Sequence, residues 1–174
     1  KKNIQAKCLV IAAGAGSFVP RKLPIKNFGH LEGKNILYAV RNKSILEDKK
    51  LLIVGGGDSA LDWTNELSKN SNVTLMHRRK EFRASPDSVS KMLELEKNKK
   101  INFLLGQIEN IEDLKNGKIK VLTKNNEETT IFEVDYLLPF FGLKMELGPI
   151  ANWGLNLNEN LISVDTQKFE TSIP

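Results

Sequence analysis

Residues 51–60 read Leu-Leu-Ile-Val-Gly-Gly-Gly-Asp-Ser-Ala, and this stretch decides the fold. Its first four residues are uniformly apolar, which is typical of a short strand buried on both faces. The turn that follows matches the pattern G-x-G-x-x-A. Core-facing positions then recur at helical spacing over residues 58–69, namely Ala60, Trp63, Thr64 and Leu67. A strand, a glycine turn and an amphipathic helix in this order predict the start of a βαβ unit.

The same alternation continues downstream. Residues 73–77 predict a second strand, and residues 101–105 predict a third. Between them Ser85 is a typical N-cap, Pro86 suits the first helical position and Asp87 favours the helix dipole. The predicted helix extends to about residue 97, and Val89, Met92, Leu93 and Glu96 continue its helical spacing. This βαβαβ order predicts a parallel sheet with right-handed crossovers.

Beyond residue 106 the pattern becomes that of short paired strands. Strand candidates lie near 108–113, 118–123 and 129–133, and Asn116-Gly117 is a strong two-residue hairpin signal. Residues 136–142 form a further apolar strand that we expect to rejoin the parallel sheet. We therefore predict an α/β fold, a Rossmann-type three-layer parallel sheet with an antiparallel β-meander.

The ends of the chain give weaker signals. The apolar run 7–12 predicts a buried strand in which Cys8 is a small buried hydrophobe. Residues 18–35 are rich in proline and glycine, so we expect a connector and a domain junction there. A possible strand lies at 161–164. Residues 14–19 offer a second glycine pattern, but Pro20 and Pro24 forbid the helix that a phosphate site needs.

Composition narrows the class of protein. With 174 residues, 40% hydrophobic and 27% charged, the chain is predicted to be soluble and globular. It has no apolar run of about 18 residues and no signal-peptide pattern, so a cytoplasmic location without membrane contact is expected. The net charge of +5 comes largely from scattered lysines, which does not favour nucleic-acid binding. A single cysteine excludes an internal disulfide or C-x-x-C pair, and no metal site is predicted.

The glycine turn is the first candidate site. Gly55 permits the tight turn, Gly57 lets a pyrophosphate approach the backbone, and Ala60 lets the helix pack close to the strand. The amides and dipole at the helix start attract phosphate. We assign the pyrophosphate to this whole turn: Gly55, Gly56, Gly57, Asp58, Ser59 and Ala60. The alternative is a structural turn without a ligand.

The residues after the second strand indicate which nicotinamide coenzyme fits. An NAD site carries a carboxylate there, about 20 residues after the glycine turn, for the ribose 2′-hydroxyl. Residues 77–83 instead read His-Arg-Arg-Lys-Glu-Phe-Arg. Guanidinium groups suit a 2′-phosphate dianion, so Arg78 and Arg79, with Arg83 one turn further on, predict NADP. His77 either packs against the adenine or simply ends the strand.

With these motifs, the chain resembles the NADPH domain of the thioredoxin-reductase-like flavoproteins. Within that group it is most similar to the ferredoxin–NADP⁺ reductases of thioredoxin-reductase type. The resemblance is carried by residues 55–63, 77–84 and 147–155. Thioredoxin reductases have a C-x-x-C dithiol shortly before the glycine turn, whereas residues 36–40 here contain no cysteine. This departure argues against dithiol exchange and for electron delivery to a one-electron carrier.

The resemblance implies a full-length parent that binds FAD and passes electrons from NADPH to ferredoxin or flavodoxin, as a homodimer. Residues 36–142 would be its NADP-binding domain, with 1–35 and 143–174 as pieces of an FAD domain. Neither FAD motif of the family is present here, so this chain alone is expected to lack FAD and to be inactive. The coenzymes carry the chemistry, and no catalytic acid, base or nucleophile is predicted. Domain rotation is implied, with a hinge around 38–45.

Two other functions stay open on the sequence alone. One is the NADPH domain of a thioredoxin-reductase homologue with a different acceptor. The other is a non-catalytic module that senses NADP. A short-chain dehydrogenase is excluded because it needs Tyr-x-x-x-Lys, while Tyr38 is followed four residues on by Asn42, and Tyr136 by Phe140.

Overall fold

The computed structural model describes residues 3–14, 16–125 and 128–173. It divides into two compact units, a central one of Pro20–Gly142 and a flanking one of Lys1–Val19 with Leu143–Pro174. The central unit thus includes residues 20–35, which the sequence-based division places in the flanking segment. Assigning either unit to a particular coenzyme stays a prediction.

The described residues contain eleven strands and two α-helices. The helices are α1 (Asp58–Leu67) and α2 (Pro86–Lys97). Short 3₁₀ turns lie at Gly29–Leu31, Ser44–Leu46 and Gly148–Asn152. The strands are β1 (Ser17–Pro20), β2 (Lys50–Val54), β3 (Asn72–His77), β4 (Ile101–Leu105), β5 (Gln107–Asp113), β6 (Ile119–Asn125), β7 (Glu128–Val134), β8 (Tyr136–Pro139), β9 (Leu143–Glu146), β10 (Leu157–Asn158) and β11 (Leu161–Ile162).

The core of the central unit is a four-stranded parallel sheet in the order β4-β3-β2-β8. Val54 at the end of β2 is in register with Met76 of β3 and with Pro139 of β8. The carboxyl ends of these strands therefore meet at one edge. The chain leaves β2 toward β3, while β8 lies on the other side of β2. This is the arrangement in which open α/β sheets bind ligands.

Side chains of β2 alternate between two hydrophobic clusters. Leu51 and Ile53 pack with residues of α1 and α2, whereas Leu52 and Val54 pack with residues of the meander. Successive side chains of a strand point to opposite faces, so the apolar residues at every position from Leu51 to Val54 cover both faces. The result is a helix layer, a parallel sheet and a meander layer, which confirms the predicted three-layer α/β fold.

The two helices bury slightly different positions from those predicted. In α1 the buried residues are Ala60, Leu61, Thr64 and Leu67. The N-terminus of α2 is as predicted, since the Ser85 hydroxyl accepts a hydrogen bond from the backbone N–H of Ser88. The prediction that Leu93 faces the core is wrong, because 48% of it is exposed. The buried residues of α2 are instead Ser88 and Met92. The Ser88 hydroxyl donates a hydrogen bond to the Asp62 carboxylate of α1 at 2.6 Å, so this side of α2 faces α1.

The antiparallel meander β5-β6-β7 is confirmed, but its first turn is longer than predicted. The loop covers residues 114–118 rather than a two-residue Asn-Gly turn. Two side chains shape it: Asp113 accepts from the N–H of Lys115 at 2.8 Å, and Asn116 accepts from the N–H of Lys118 at 3.0 Å. Such local bonds compete with tight hairpin closure. The second link, at 126–127, lies outside the described residues.

The flanking unit departs most from expectation. Residues 7–12 do not form the predicted strand, and Leu9 and Val10 are 68% and 82% exposed. Cys8 is exposed, so the prediction of a buried cysteine is also wrong. An apolar run indicates a tendency to be buried, but a strand also needs a neighbour for its backbone hydrogen bonds. The described residues provide none here.

The other strands of this unit are short. β1 pairs with β9, and β10 with β11, so the strand predicted at 161–164 is reduced to Leu161–Ile162. β1 begins at Ser17, inside the second glycine pattern, so a strand and not a helix stands there, in agreement with its rejection as a phosphate site. Neither of the helices found in the described ranges has the length and apolar character required to cross a membrane.

Candidate functional site

The glycine turn joins β2 to α1 under close packing. The N–H of Gly55 donates to the carbonyl of Met76 at 3.0 Å. A Cβ at Gly55 would lie 2.5 Å from the carbonyl oxygen of Phe140 and 2.9 Å from the Cβ of Ala60. Because Ala60 is itself fully buried, the two small residues allow turn, helix and strand β8 to approach each other. This agrees with the roles predicted for them.

Gly57 has a different surrounding. It is the N-cap of α1, with extended backbone, and a Cβ there would meet no atom of the described residues within 4 Å. Packing therefore does not explain this glycine. The open space lies in front of the first turn of α1, where backbone amides have no partner inside the helix. An anionic group can approach these amides directly.

Gly56 lies beneath the imidazole of His77. A Cβ at Gly56 would come within 2.3 Å of Nε2 of that ring. The ring also stacks on Phe82, with centroids 5.5 Å apart and an angle of 24°. Phe82 in turn packs against Phe103 at 5.4 Å. The ring of His77 is therefore held between the glycine turn and an aromatic pair.

The electrostatics of His77 follow from this position. Partial burial lowers the pKa of His77 below its usual 6.5, and the neighbouring charges of Arg78, Arg79 and Arg83 lower it further. A hydrogen bond to the carbonyl of Glu81 opposes the shift. The imidazole is accordingly neutral near pH 7. His77 therefore adds no positive charge beside the turn, whereas Arg78, Arg79 and Arg83 do.

The three predicted arginines lie together with the turn along one cleft. Its volume is about 530 Å³, and Arg78, Arg79 and Arg83 are exposed along its wall. Lysines elsewhere form salt bridges, but within the described ranges no arginine lies within 4.0 Å of a carboxylate. One carboxylate, that of Glu81, is also part of the wall.

Two hydrogen bonds donated by backbone N–H groups tie residues 78–85, here called the arginine segment, to the glycine turn. The N–H of Arg83 donates to the carbonyl of Gly56 at 2.7 Å. The N–H of Ser85 donates to the carboxylate of Asp58 at 2.7 Å. The Asp58 side chain is thus used to fix the arginine segment, while its backbone stays at the start of α1. Ser59 is exposed in the same first turn.

The far side of the cleft contains residues that the sequence did not single out. The N–H of Phe140 donates to the carbonyl of Val54 at 2.7 Å, which places the residues after β8 beside the turn. Arg21 then follows, since its N–H donates to the carbonyl of Gly142 at 3.0 Å. Phe141 also lines the cleft on this side, whereas Gln107, which follows β4, lines it beyond β3. The apolar run before Gly142 was a usable signal for this wall, whereas no local pattern marks Arg21.

These residues fit a dinucleotide phosphate. An open approach to helix amides accommodates a pyrophosphate, and uncompensated guanidinium groups beyond β3 accommodate a further phosphate dianion. The cleft is of the size usual for small-molecule sites. The geometry therefore supports a dinucleotide with an additional phosphate as the ligand class, and it does not identify a reaction.

Comparison with known proteins gives a consistent picture. Residues 1–174 match the family described as pyridine nucleotide-disulphide oxidoreductase. The chain is 51% identical over 173 residues to a Parvibaculum lavamentivorans protein named ferredoxin–NADP reductase, covering 98% of the chain and 50% of that protein. A Mesorhizobium japonicum protein of the same name is 50% identical over 173 residues, with the same coverage. The chain spans about half the length of the curated relatives it matches.

Solved structures show the same fold. Thioredoxin reductase from Lactococcus lactis gives a TM-score of 0.73 at 27% identity, covering 90% of this chain and 52% of that one. Bacillithiol disulfide reductase from Staphylococcus aureus gives 0.73 at 20% identity, covering 88% and 48%. At that lower identity the likeness concerns the fold alone.

Proposed function

Because this chain belongs to the pyridine nucleotide-disulphide oxidoreductase family, we propose that it is the NADPH-binding part of a flavoprotein oxidoreductase. The pyrophosphate lies at the glycine turn, Gly55 to Ala60, against the first amides of α1. The 2′-phosphate lies against Arg78, Arg79 and Arg83. His77 borders the adenosine half as a neutral, stacked ring.

One observation carries this proposal. Three exposed arginines stand beside an open helix N-terminus with no described carboxylate within 4.0 Å of them. Guanidinium groups left uncompensated repel each other, and a phosphate dianion relieves that repulsion while accepting several hydrogen bonds. A purely structural turn has no need of such a cluster.

For the whole protein we propose ferredoxin–NADP reductase activity with FAD, using ferredoxin or flavodoxin as acceptor. Support comes from relatives of that name at 51% and 50% identity. The single cysteine also argues against dithiol exchange by this chain. NADPH supplies a hydride and FAD supplies its acceptor. The described residues bind and orient the nucleotide, and we assign none of them a proton transfer.

The binding proposal is tested by calorimetric titration of the chain with NADPH and NADH. Replacing Arg78→Ala together with Arg79→Ala removes the charge-assisted contacts to the 2′-phosphate only. We expect NADPH binding to weaken about a hundredfold and NADH binding to change little. A matched control is Lys97→Ala with Lys100→Ala, which removes the same charge outside the cleft. Equal losses for both coenzymes would overturn the assignment.

The activity proposal needs the full-length protein. We expect the full-length protein to show a flavin absorption spectrum that NADPH bleaches. Adding oxidised ferredoxin should restore the spectrum, because ferredoxin takes electrons from the reduced flavin. Full-length protein that binds NADPH without any flavin would instead be a sensing module. A bleached spectrum that only a disulfide substrate restores would favour a thioredoxin-reductase homologue.

A further inference from the structure

The cleft has a second positively charged wall, opposite the arginine segment. Arg21 lines the cleft and is exposed. Its backbone is fixed three residues beyond β8 by the hydrogen bond from its N–H to the carbonyl of Gly142, at 3.0 Å. Arg78 and Arg79 follow β3, on the other side of β2. The glycine turn therefore lies between two arginine sites at the same edge of the sheet.

Arg21 differs from the basic residue next to it. The ammonium group of Lys22 is 2.7 Å from Glu32, and the same carboxylate accepts from the hydroxyl of Tyr38 at 2.9 Å. The Lys22 charge is thus compensated within the fold. Arg21 has no carboxylate within 4.0 Å among residues 3–14, 16–125 and 128–173. Its charge is available to a ligand in the cleft.

The order of the strands says which part of a dinucleotide reaches Arg21. With the pyrophosphate at the turn after β2, the 2′-phosphate of the adenosine half extends toward the end of β3. The nicotinamide half must then extend to the other side, toward the end of β8. Phe140, Phe141 and Gly142 form the cleft wall there, and Arg21 stands beyond them.

We propose that Arg21 is a positioning residue that binds the phosphate on the nicotinamide side of the pyrophosphate. This inference rests on the proposed NADPH site and adds a contact at its other end. The phosphate concerned is present in NADPH and NADH alike, so Arg21 contributes affinity without selecting between them. It also fixes where the nicotinamide half leaves the turn. The cluster at Arg78 and Arg79 has the complementary role of selecting the 2′-phosphate.

Titration with three ligands distinguishes the role of Arg21 from that of Arg78 and Arg79. NADPH has all the phosphates, NADH lacks the 2′-phosphate, and 2′,5′-ADP lacks the nicotinamide-side phosphate. We expect Arg21→Gln to weaken NADPH and NADH by the same factor, about tenfold, and to leave 2′,5′-ADP within twofold. The control is Arg41→Gln, which removes the same charge from an arginine that is not among the described residues of the cleft wall. It should leave all three affinities unchanged.

Each outcome of this titration decides the proposal. A loss confined to NADPH and 2′,5′-ADP would place Arg21 in the 2′-phosphate site and overturn it. Unchanged binding of all three ligands would also overturn it, while leaving the NADPH site itself intact. If the unsubstituted chain bound neither NADPH nor 2′,5′-ADP, the proposed function would fail as a whole. Circular dichroism of Arg21→Gln checks that the variant is folded.

Discussion

The carboxylate of Asp58 accepts a 2.7 Å hydrogen bond from the backbone N–H of Ser85. The first residue of α1 therefore holds the residue that caps α2. Between Ser85 and the end of β3 lie the arginines, so this bond and that from Arg83 to Gly56 fix both the turn and the arginine segment. In the proposed site the side chain of Asp58 therefore holds the arginine segment in place.

We expect Asp58→Ala to weaken NADPH binding about fivefold, because a charge-assisted hydrogen bond is lost and the arginine segment becomes less ordered. NADH binding should fall less. The measurement combines titration with amide hydrogen exchange, in which residues 78–85 should exchange faster.

Asp87→Ala is the control for this variant, since Asp87 is an exposed carboxylate in the first turn of α2 that pairs with Lys91 at 2.6 Å. It should leave exchange in residues 78–85 unchanged. Unaltered protection of that segment in Asp58→Ala would show that the bond does not order it.

The glycines at 55 and 57 should respond to alanine in opposite ways. At Gly57 a Cβ meets nothing within 4 Å and the backbone φ of −102° suits alanine. We expect Gly57→Ala to remain folded, with only the small loss of a poorer N-cap, but to bind NADPH and NADH at least tenfold more weakly. Thermal denaturation and titration together measure this.

Gly55→Ala supplies the contrast. Its Cβ would lie 2.5 Å from the Phe140 carbonyl oxygen, so the backbone must move. We expect a loss of about 1–3 kcal/mol in the free energy of unfolding, as for other overpacked sites. Gly29→Ala, where a Cβ also has open space, is the control. If Gly57→Ala bound both coenzymes as tightly as the unsubstituted chain, the assignment of the pyrophosphate to this turn would be wrong.

His77 should titrate below the usual histidine range. Burial and the adjacent arginines hold its pKa under 6.5. As the pH falls through 6.5 the unfolded chain binds this proton before the folded chain does, so the folded state loses stability; above that pH the contribution vanishes. A 2′-phosphate nearby would favour the protonated ring, so NADPH should raise the midpoint.

Proton NMR can follow this titration, because the chain has only two histidines. The signal missing from His77→Gln identifies the residue, and His30→Gln identifies the other. We expect a midpoint below 6.5 in the free chain and an upward shift with 2′,5′-ADP. If 2′,5′-ADP left the titration midpoint of His77 unchanged, His77 would not lie close to the 2′-phosphate.

Among the described residues that line the cleft, Glu81 is the one with a carboxylate. Its charge opposes that of the arginines, so Glu81→Gln should tighten NADPH binding about threefold at low salt, a range typical of exposed charges. NADH should gain less because it lacks the 2′-phosphate. Glu94→Gln removes an exposed carboxylate outside the cleft and should alter neither affinity. Weaker NADPH binding by Glu81→Gln would mean that this carboxylate helps to hold the coenzyme.

The parts of this fold that the sequence predicts are those with local causes. The apolar run of β2, the helical spacing of α1 and the Ser85-Pro86 start of α2 each depend on neighbours within a few residues. The three-layer packing also follows, because a strand that is apolar on every position needs a cover on both faces. The sequence also predicts that the glycine turn and the arginines belong to one site, because they are separated by about 20 residues, the spacing expected in a βαβ unit.

The parts that were missed depend on contacts distant in sequence. Residues 7–12 look like a strand, yet nothing local tells whether a partner strand exists. The side chain of Asp58 meets Ser85 only because α1 and α2 pack side by side. Arg21 reaches the cleft because its backbone bonds to Gly142, in the segment that follows β8. Neither spacing nor composition contains this information.

The uncovered guanidinium groups around the glycine turn also affect how this protein behaves in the laboratory. Because these guanidinium groups repel each other, the folded chain should bind anions such as sulfate or inorganic phosphate from a buffer. Such anions would raise the melting temperature of the coenzyme-free protein and would compete with NADPH. Affinities obtained in phosphate buffer would therefore understate the strength of this site, and a low-salt zwitterionic buffer would reveal it.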